Sequence, residues 1–192
     1  MNFRWEWEVF LRDTGGGQTY LDWLMSAWGW TLAVAACAWV VAFVLGSVVG
    51  TLRTTPVRGL VFLGNAWVEL FRNIPILVQI FLWYHVIPAM VPIMKSLPSF
   101  VLVVLALGFF TSARVAEQVR AGIQSLPRGQ RDAGLAMGLT LPQTYFHVLL
   151  PMAFRIVIPP LTSEAMSIIK NSSVAFAVSV AELTMFAMQA QE

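Results

Sequence analysis

The chain is poor in charge and in cysteine, and both shortages restrict what it can be. Only 11% of its 192 residues are charged and 58% are hydrophobic, whereas a soluble domain carries about 25% charged residues. A soluble protein of this length needs more charge to cover its surface, so the composition predicts an all-α integral membrane protein. The single cysteine, Cys37, excludes an internal disulfide and a cysteine-based metal cluster.

Sequence signatures of several other function classes are also missing. No Gly-rich loop ends in Lys-Ser or Lys-Thr, so the chain cannot bind nucleotide phosphates by that route. No Ser/His/Asp or Cys/His set lies on one side of the membrane in a convincing arrangement, and His85 and His147 lack partners at metal-ligand spacing. We therefore expect neither an enzyme nor a cofactor or metal in this chain. The formal net charge is only +2, without a basic stripe, so nucleic acid is not an expected partner.

Long apolar runs predict about four membrane spans in a single domain, residues 1–192. A hydrocarbon core of roughly 30 Å needs about 20 apolar residues in a helix. The runs that meet this requirement are 28–50, 73–93, 99–119 and 156–180. Residues 60–70 are either an interfacial helix or the lower part of a long second span, and the sequence leaves both open. We expect the first helix to end near Arg53 and the third to continue beyond the lipid.

The positions of Lys and Arg predict how the spans are oriented. Most of them fall in two loops that return to the same side of the membrane, against Lys95 on the other side. Basic loops face the cytoplasm, so the N-terminus is expected outside, with the first residues as a short tail at the membrane surface. Glu117 stands three residues from both Arg114 and Arg120, and surface ion pairs along one helix explain this spacing.

A polar loop, residues 125–151, separates the third and fourth spans and is far longer than a turn requires. Its first half has helix formers and a glycine, Gly138, where a helix would end, and "TLPQ" offers a capping box between Thr140 and Gln143. We expect two short helices with a bend at Gly138. Small residues at Ala133, Gly134 and Gly138 would let another surface approach the first helix closely. The alternative is a hairpin that merely links two spans.

The spacing within this loop resembles a known motif. Asp132-Ala133-Gly134, three residues, Gly138, nine residues, Val148, one residue, and then Leu150-Pro151 is similar to the EAA loop of ABC-importer permeases. "ELFRNIPILVQIF", "SARVAEQVRAGIQSLPRGQRDAG" and "EAMSIIKNSSVAF" extend the resemblance to permease subunits of polar amino-acid importers, and most nearly to those of bacterial glutamate/aspartate ABC importers.

The resemblance implies a type I importer permease bundle in the bacterial inner membrane. The EAA loop would then be a cytoplasmic coupling element, whose expected contact residues are Asp132, Ala133, Gly134, Gly138, Leu150 and Pro151. The implied partners are a second, different permease subunit, two ATP-binding subunits that carry ATP and Mg²⁺, and a periplasmic amino-acid-binding protein. A fifth span is usual in the family, and no long apolar run follows residue 182.

The fourth span is unusually polar and predicts the substrate path. Glu164 and Lys170 each cost roughly 2.5–3.5 kcal/mol inside a span on insertion scales, so something must offset their burial. An internal ion pair is one explanation, although positions six apart point about 120° away from each other. The other is a polar cavity in which Glu164 binds the α-ammonium and Lys170 a carboxylate of an amino acid. The neighbouring hydrogen-bonding candidates are Asn171, Ser172 and Ser173.

Arg72 is a further candidate for the substrate path, with a snorkelling interfacial arginine as the alternative. The predicted function is the transmembrane subunit of an ATP-driven importer of polar amino acids. A self-sufficient, ion-coupled carrier with Glu164 as a proton site is the alternative from another class.

Overall fold

The structure, a computed structural model, describes residues 7–190 apart from the side chain of Arg128. Part of the tail predicted at the membrane surface, residues 1–6, lies outside the described residues. The helices are α1 (Tyr20–Leu52), α2 (Arg58–Asn73), α3 (Ile76–Met90), α4 (Ser99–Gln124), α5 (Arg128–Ala136), α6 (Leu141–Val178) and α7 (Leu183–Gln189). Within residues 7–190, the only β-type pairing is an isolated bridge between Asp13 and Thr19, so the all-α prediction is confirmed.

Helix α1 begins earlier than its apolar run because its N-terminus is capped. The Thr19 hydroxyl accepts a hydrogen bond from the backbone N–H of Asp22, and the Asp22 carboxylate accepts one from the backbone N–H of Thr19. This reciprocal cap satisfies two N–H groups that a helix start leaves free. The helix ends at Leu52, with Arg53 as its C-cap, as predicted.

Helix α4 is the centre of the bundle and packs most extensively against α1. Small residues recur every fourth position along the contacting face of α1: Ala38, Ala42, Gly46 and Gly50. Such a stripe lets two membrane helices approach closely. A Cβ atom added at Gly46 would lie 2.5 Å from the Val115 Cβ and 2.8 Å from the Ser112 carbonyl oxygen. The close approach of α1 to α4 therefore depends on glycine.

Helices α2 and α3 meet at a sharp corner, next to the residues 60–70 that the sequence left open. Their axes bend by 102° at Ile74–Pro75, so residues 60–70 lie in a helix that is bent away from the second apolar run. Both interpretations, an interfacial helix and the lower part of a long second span, stay predictions. Pro75 favours extended backbone at Ile74. The buried Gln79 amide then donates hydrogen bonds to the carbonyl oxygens of Phe71, at 2.7 Å, and Ile74, at 3.0 Å.

Helix α6 is continuous with the polar loop, which corrects one expectation. The capping box of Thr140 and Gln143 is present, but the second short helix does not end before the span. It continues through a π-turn at Tyr145–Leu149 and through Pro159 and Pro160 into the membrane segment. The second half of the polar loop and the fourth apolar run therefore lie on one helix.

The span count agrees with the sequence. Among residues 7–190, three helices, α1, α4 and α6, are each long and apolar enough to cross a membrane, and the bent pair α2–α3 is a fourth when counted as one span. The third helix extends past residue 119 to Gln124, as expected. The division into a single domain of residues 1–192 with a loop at 125–151 stays a prediction.

Candidate functional site

A charged cavity of about 420 Å³ opens between three helices, at the α2–α3 corner. It lies where α2 ends, where α4 carries its polar turns and where α6 passes behind them. Its lining residues are Arg72, Arg114, Glu117, Gln118 and Glu164. The sequence predicted two of these, Arg72 and Glu164, as substrate-path residues, and the structure brings both into one cavity.

The Glu117 carboxylate connects three helices in this cavity. It accepts a hydrogen bond from Arg72 Nη1 at 2.8 Å and lies 3.7 Å from Arg53 Nη2. The predicted surface ion pairs along one helix are therefore wrong, because both partners of Glu117 come from outside α4. The packing of α2 along α4, where Val68 lies in one cluster with Ala113 and Ala116, brings Arg72 to this carboxylate.

Arg53 is the buried member of this network. Its side chain is 6% exposed, and its Nε donates to the Asn65 side chain at 2.8 Å. Burial lowers the pKa of the Arg53 guanidinium, and the nearby charge of Arg120 acts in the same direction, while Glu117 opposes both. Because the ordinary pKa of an arginine lies far above neutral pH, the group remains cationic and needs its counter-ion.

Glu164 is paired with α4, not with Lys170. Its carboxylate lies 3.7 Å from Arg114 Nη1 and accepts a hydrogen bond from Gln118 Nε2 at 3.3 Å. The Arg114 guanidinium also lies over the Phe110 ring, 4.9 Å from the ring centre, a cation–π contact. The internal Glu164–Lys170 pair that the sequence left open is thus absent.

The remaining predicted substrate-path residues do not line the cavity. Lys170 is exposed, Asn171 and Ser173 are half-buried, and Ser172 is buried with its hydroxyl donating to the Ile169 carbonyl. Lys170 stands six positions beyond Glu164, which corresponds to about 9 Å along the helix axis. Any contact of these residues with substrate would therefore be made at another level of the path.

Sequence reasoning missed Arg114, Glu117 and Gln118 as site residues. Positions 114, 117 and 118 share one face of a helix, and three polar side chains on one face inside an apolar helix were the available signal. The sequence could not show that the face pointed inward, because the partner charges are 45 and 46 residues away along the chain.

The predicted coupling residues are divided between the outside and the inside of the loop. Asp132 and Ala133 are exposed on α5, Pro151 is exposed and Leu150 is half-buried on α6. Gly134 is buried: a Cβ atom there would lie 2.8 Å from the Thr144 methyl carbon. The close approach predicted for Gly134 is therefore made by α6 of the same chain.

Gly138 terminates α5 and does not form part of its surface. Its φ of +84° lies in the left-handed region that glycine adopts without strain. The bend predicted at Gly138 is confirmed.

Large apolar side chains are exposed around this bend. Leu135 is 40% exposed, Met137 83% and Phe146 70%. We call these three residues, with Asp132 and Ala133, the loop surface.

A second cavity, of about 430 Å³, lies beneath α5, between the ends of α1, α4 and α6. Tyr145 and Thr54 both line this cavity, and the Tyr145 hydroxyl donates a hydrogen bond to the Thr54 carbonyl oxygen at 2.7 Å. The α1–α2 turn is thereby attached to the π-turn of α6, on which α5 rests.

Comparison with known proteins places these features among transport proteins. Residues 42–190 match the family described as binding-protein-dependent transport system inner membrane component. The chain is 48% identical over 194 aligned residues to the glutamate/aspartate import permease protein GltJ of Escherichia coli (strain K12), covering 95% of this chain and 79% of that protein. It is 41% identical over 144 residues to the probable glutamine ABC transporter permease protein GlnM of Bacillus subtilis (strain 168), covering 75% of this chain and 65% of that protein.

A solved structure has the same fold. A crystal structure of an amino acid ABC transporter with histidines superposes with a TM-score of 0.76 at 27% identity, and covers 90% of this chain and 79% of that chain.

Proposed function

This chain belongs to the binding-protein-dependent transport system inner membrane component family, and on that premise we propose that it carries acidic amino acids, glutamate and aspartate, through the bacterial inner membrane. Membership of this family decides against the ion-coupled carrier, and the chain is a transport subunit of an ABC importer, not an enzyme. The proposed substrate follows the relative at 48% identity, which is named for glutamate and aspartate import.

The cavity at the α2–α3 corner is the observation that carries the substrate proposal. Its volume of about 420 Å³ falls in the usual range of about 300–1,000 Å³ for small-molecule sites. It presents arginines, which suit carboxylates, together with glutamates, which suit an ammonium group. We propose that Arg72 and Glu164 contact the substrate here, and that Lys170, Asn171, Ser172 and Ser173 contact it at a neighbouring level of the path.

The uncovered surface of the chain supports the proposed partners. Much of the α6 surface is not covered by other described residues, and Ser163, Met166 and Lys170 are exposed on it. A second, different permease subunit would cover this face and complete the path. We propose that the loop surface docks onto an ATP-binding subunit, which would supply ATP and Mg²⁺ to the transporter. We propose that the N-terminus faces the periplasm, where a binding protein delivers the amino acid; the arginine-rich loops support this orientation.

Uptake of labelled amino acids tests this function. Cells with the intact chain, with the chain deleted and with Ala133→Arg would be compared at equal membrane levels. Ala133 is chosen because it is exposed on a regular helix, so the new side chain disturbs docking and not folding. Ser96→Arg, in an exposed turn after α3, is the matched control.

We expect the deletion and Ala133→Arg to abolish glutamate and aspartate uptake, and Ser96→Arg to retain it. Uptake that survives Ala133→Arg but stops when a protonophore is added at constant ATP would refute the proposal in favour of an ion-coupled carrier.

A further inference from the structure

The carboxylates of Glu117 and Glu164 lie beside the two arginines that line the charged cavity. We propose that Glu117 and Glu164 hold Arg72 and Arg114 as internal counter-ions in the place of the two carboxylates of a dicarboxylic amino acid, and that Arg72 determines the preference for that class. This inference rests on the proposed amino-acid transport function and assigns the individual charges of the same site.

The charged groups of the cavity match those of a dicarboxylic amino acid. The lining holds two arginines, Arg72 and Arg114, and two glutamates, Glu117 and Glu164, and Glu117 has the buried Arg53 as a second partner. A dicarboxylic amino acid has two carboxylates, one for each lining arginine, and one ammonium group for Glu164. A neutral amino acid has only one carboxylate, so it would give Arg72 no charged partner.

Both arginines that face the opening can accept a new partner. The Arg72 and Arg114 side chains are 60% and 45% exposed. Arg114 lies 3.7 Å from Glu164, beyond hydrogen-bond distance, and among the described residues none accepts a hydrogen bond from it. Its planar set of N–H donors is therefore available to a carboxylate, which it can bind in two-point fashion.

Arg72 is already hydrogen-bonded to Glu117, but Glu117 has a second partner. Arg53 Nη2 lies 3.7 Å from the other oxygen of the same carboxylate. When a substrate carboxylate takes Arg72, Glu117 keeps the buried Arg53 as its counter-charge. Exchange therefore leaves no arginine unpaired, either in the empty site or in the occupied one, and so avoids the large cost of an isolated buried charge.

The positions of the two glutamates determine which arginine binds which carboxylate. An α-ammonium and an α-carboxylate share one carbon atom, so they must bind to neighbouring groups. Glu164 and Arg114 form such a neighbouring pair. The side-chain carboxylate then extends toward Arg72, and this arginine alone distinguishes glutamate from its neutral isostere glutamine.

Binding of labelled glutamate and glutamine to the purified complete transporter, in detergent and without nucleotide or binding protein, tests the assignment. We expect Arg72→Gln to weaken glutamate binding by roughly tenfold or more, the loss typical of one hydrogen bond between charged groups, and to change glutamine binding by less than about threefold. Arg114→Gln should weaken both amino acids to a similar extent. Arg120→Gln, which removes the same charge from a side chain bonded to Gln124, should weaken neither.

The variant Glu117→Gln tests whether Glu117 acts as a counter-ion that competes with the substrate for Arg72 or only supports the fold. If Glu117 competes with the substrate for Arg72, the variant should bind glutamate more tightly and release it more slowly, so that KM and kcat of transport both fall. Each variant would be checked for assembly by gel filtration and by its ATPase activity without substrate.

Several results would overturn the inference. Equal losses of glutamate and glutamine in Arg72→Gln, unchanged binding in Arg72→Gln and Arg114→Gln, or weaker glutamate binding in an assembled Glu117→Gln would each contradict it while the transport function stood. If the unaltered transporter neither imported nor bound acidic amino acids, the proposed function would fail and this inference with it.

Discussion

Replacing Tyr145 by phenylalanine should weaken the coupling between ATP hydrolysis and transport while leaving the fold intact. Tyr145 is buried beneath α5, and its hydroxyl donates to the Thr54 carbonyl oxygen at 2.7 Å. Gly134 of α5 rests on the neighbouring residue, Thr144. We therefore expect a displacement of α5 to reach the α1–α2 turn through the Tyr145 side chain. Tyr145→Phe removes only the hydroxyl oxygen that bonds to Thr54.

The expected magnitude follows from the hydrogen bonds that are lost. The Thr54 hydroxyl also lies 3.2 Å from the tyrosine oxygen, but its single proton is used in a 2.7 Å bond to the Thr51 carbonyl. The substitution therefore removes one hydrogen bond, from Tyr145 to the Thr54 carbonyl oxygen, with a net contribution to stability of about 1 kcal/mol. A change of this size shifts the ratio of attached to detached conformations by about fivefold.

The measurement is the number of amino-acid molecules imported per ATP hydrolysed, in proteoliposomes that contain the complete transporter and binding protein. We expect this ratio to fall by up to about fivefold in Tyr145→Phe. Tyr20→Phe removes the same atom from the opposite end of α1 and should leave the ratio unchanged. The reasoning is refuted if the ratio in Tyr145→Phe stays at its original value, or if Tyr20→Phe lowers it equally.

Two further predictions concern glycines, each with a matched control in the same helix. Gly46→Val should destabilise the bundle by about 1–3 kcal/mol, the usual cost of overpacking, because an atom of α4 lies 2.5 Å from the new Cβ atom. The control Gly29→Val adds a side chain that meets nothing within 4 Å. Thermal unfolding in detergent measures both variants, and equal melting temperatures would contradict the α1–α4 contact. Gly134→Val should displace α5 from Thr144 and lower uptake at an unchanged protein level. In the control Gly129→Val, the new side chain meets nothing within 4 Å. An equally large loss of uptake in Gly129→Val would show that the Thr144 contact is not the cause.

The elements predicted correctly are those whose cause is local. The third span was placed from a continuous apolar run, and α4 indeed begins at Ser99. The end of α5 was placed from Gly138, whose positive φ only glycine adopts without strain. The cap of α6 was placed from the spacing of Thr140 and Gln143. Each signal needs only a few consecutive residues, so no long-range contact can alter it.

The errors concern which groups meet across the bundle. The spacing of Arg114, Glu117 and Arg120 fitted pairs within one helix, yet Glu117 binds Arg53 and Arg72. Likewise Glu164 was considered with Lys170, and its partners are Arg114 and Gln118.

By itself, the sequence determined that this protein is a membrane-embedded helical bundle with a polar loop of the importer-permease type, because apolar run length, capping residues and motif spacing are properties of neighbouring residues. Only the tertiary structure decided where the charges go. The packing of Val68 against Ala113 and Ala116 brings Arg72 onto α4, and the glycines of α1 let that helix approach α4 closely. A charge inside a membrane is stable only beside its partner, and which partner it has depends on how the helices pack.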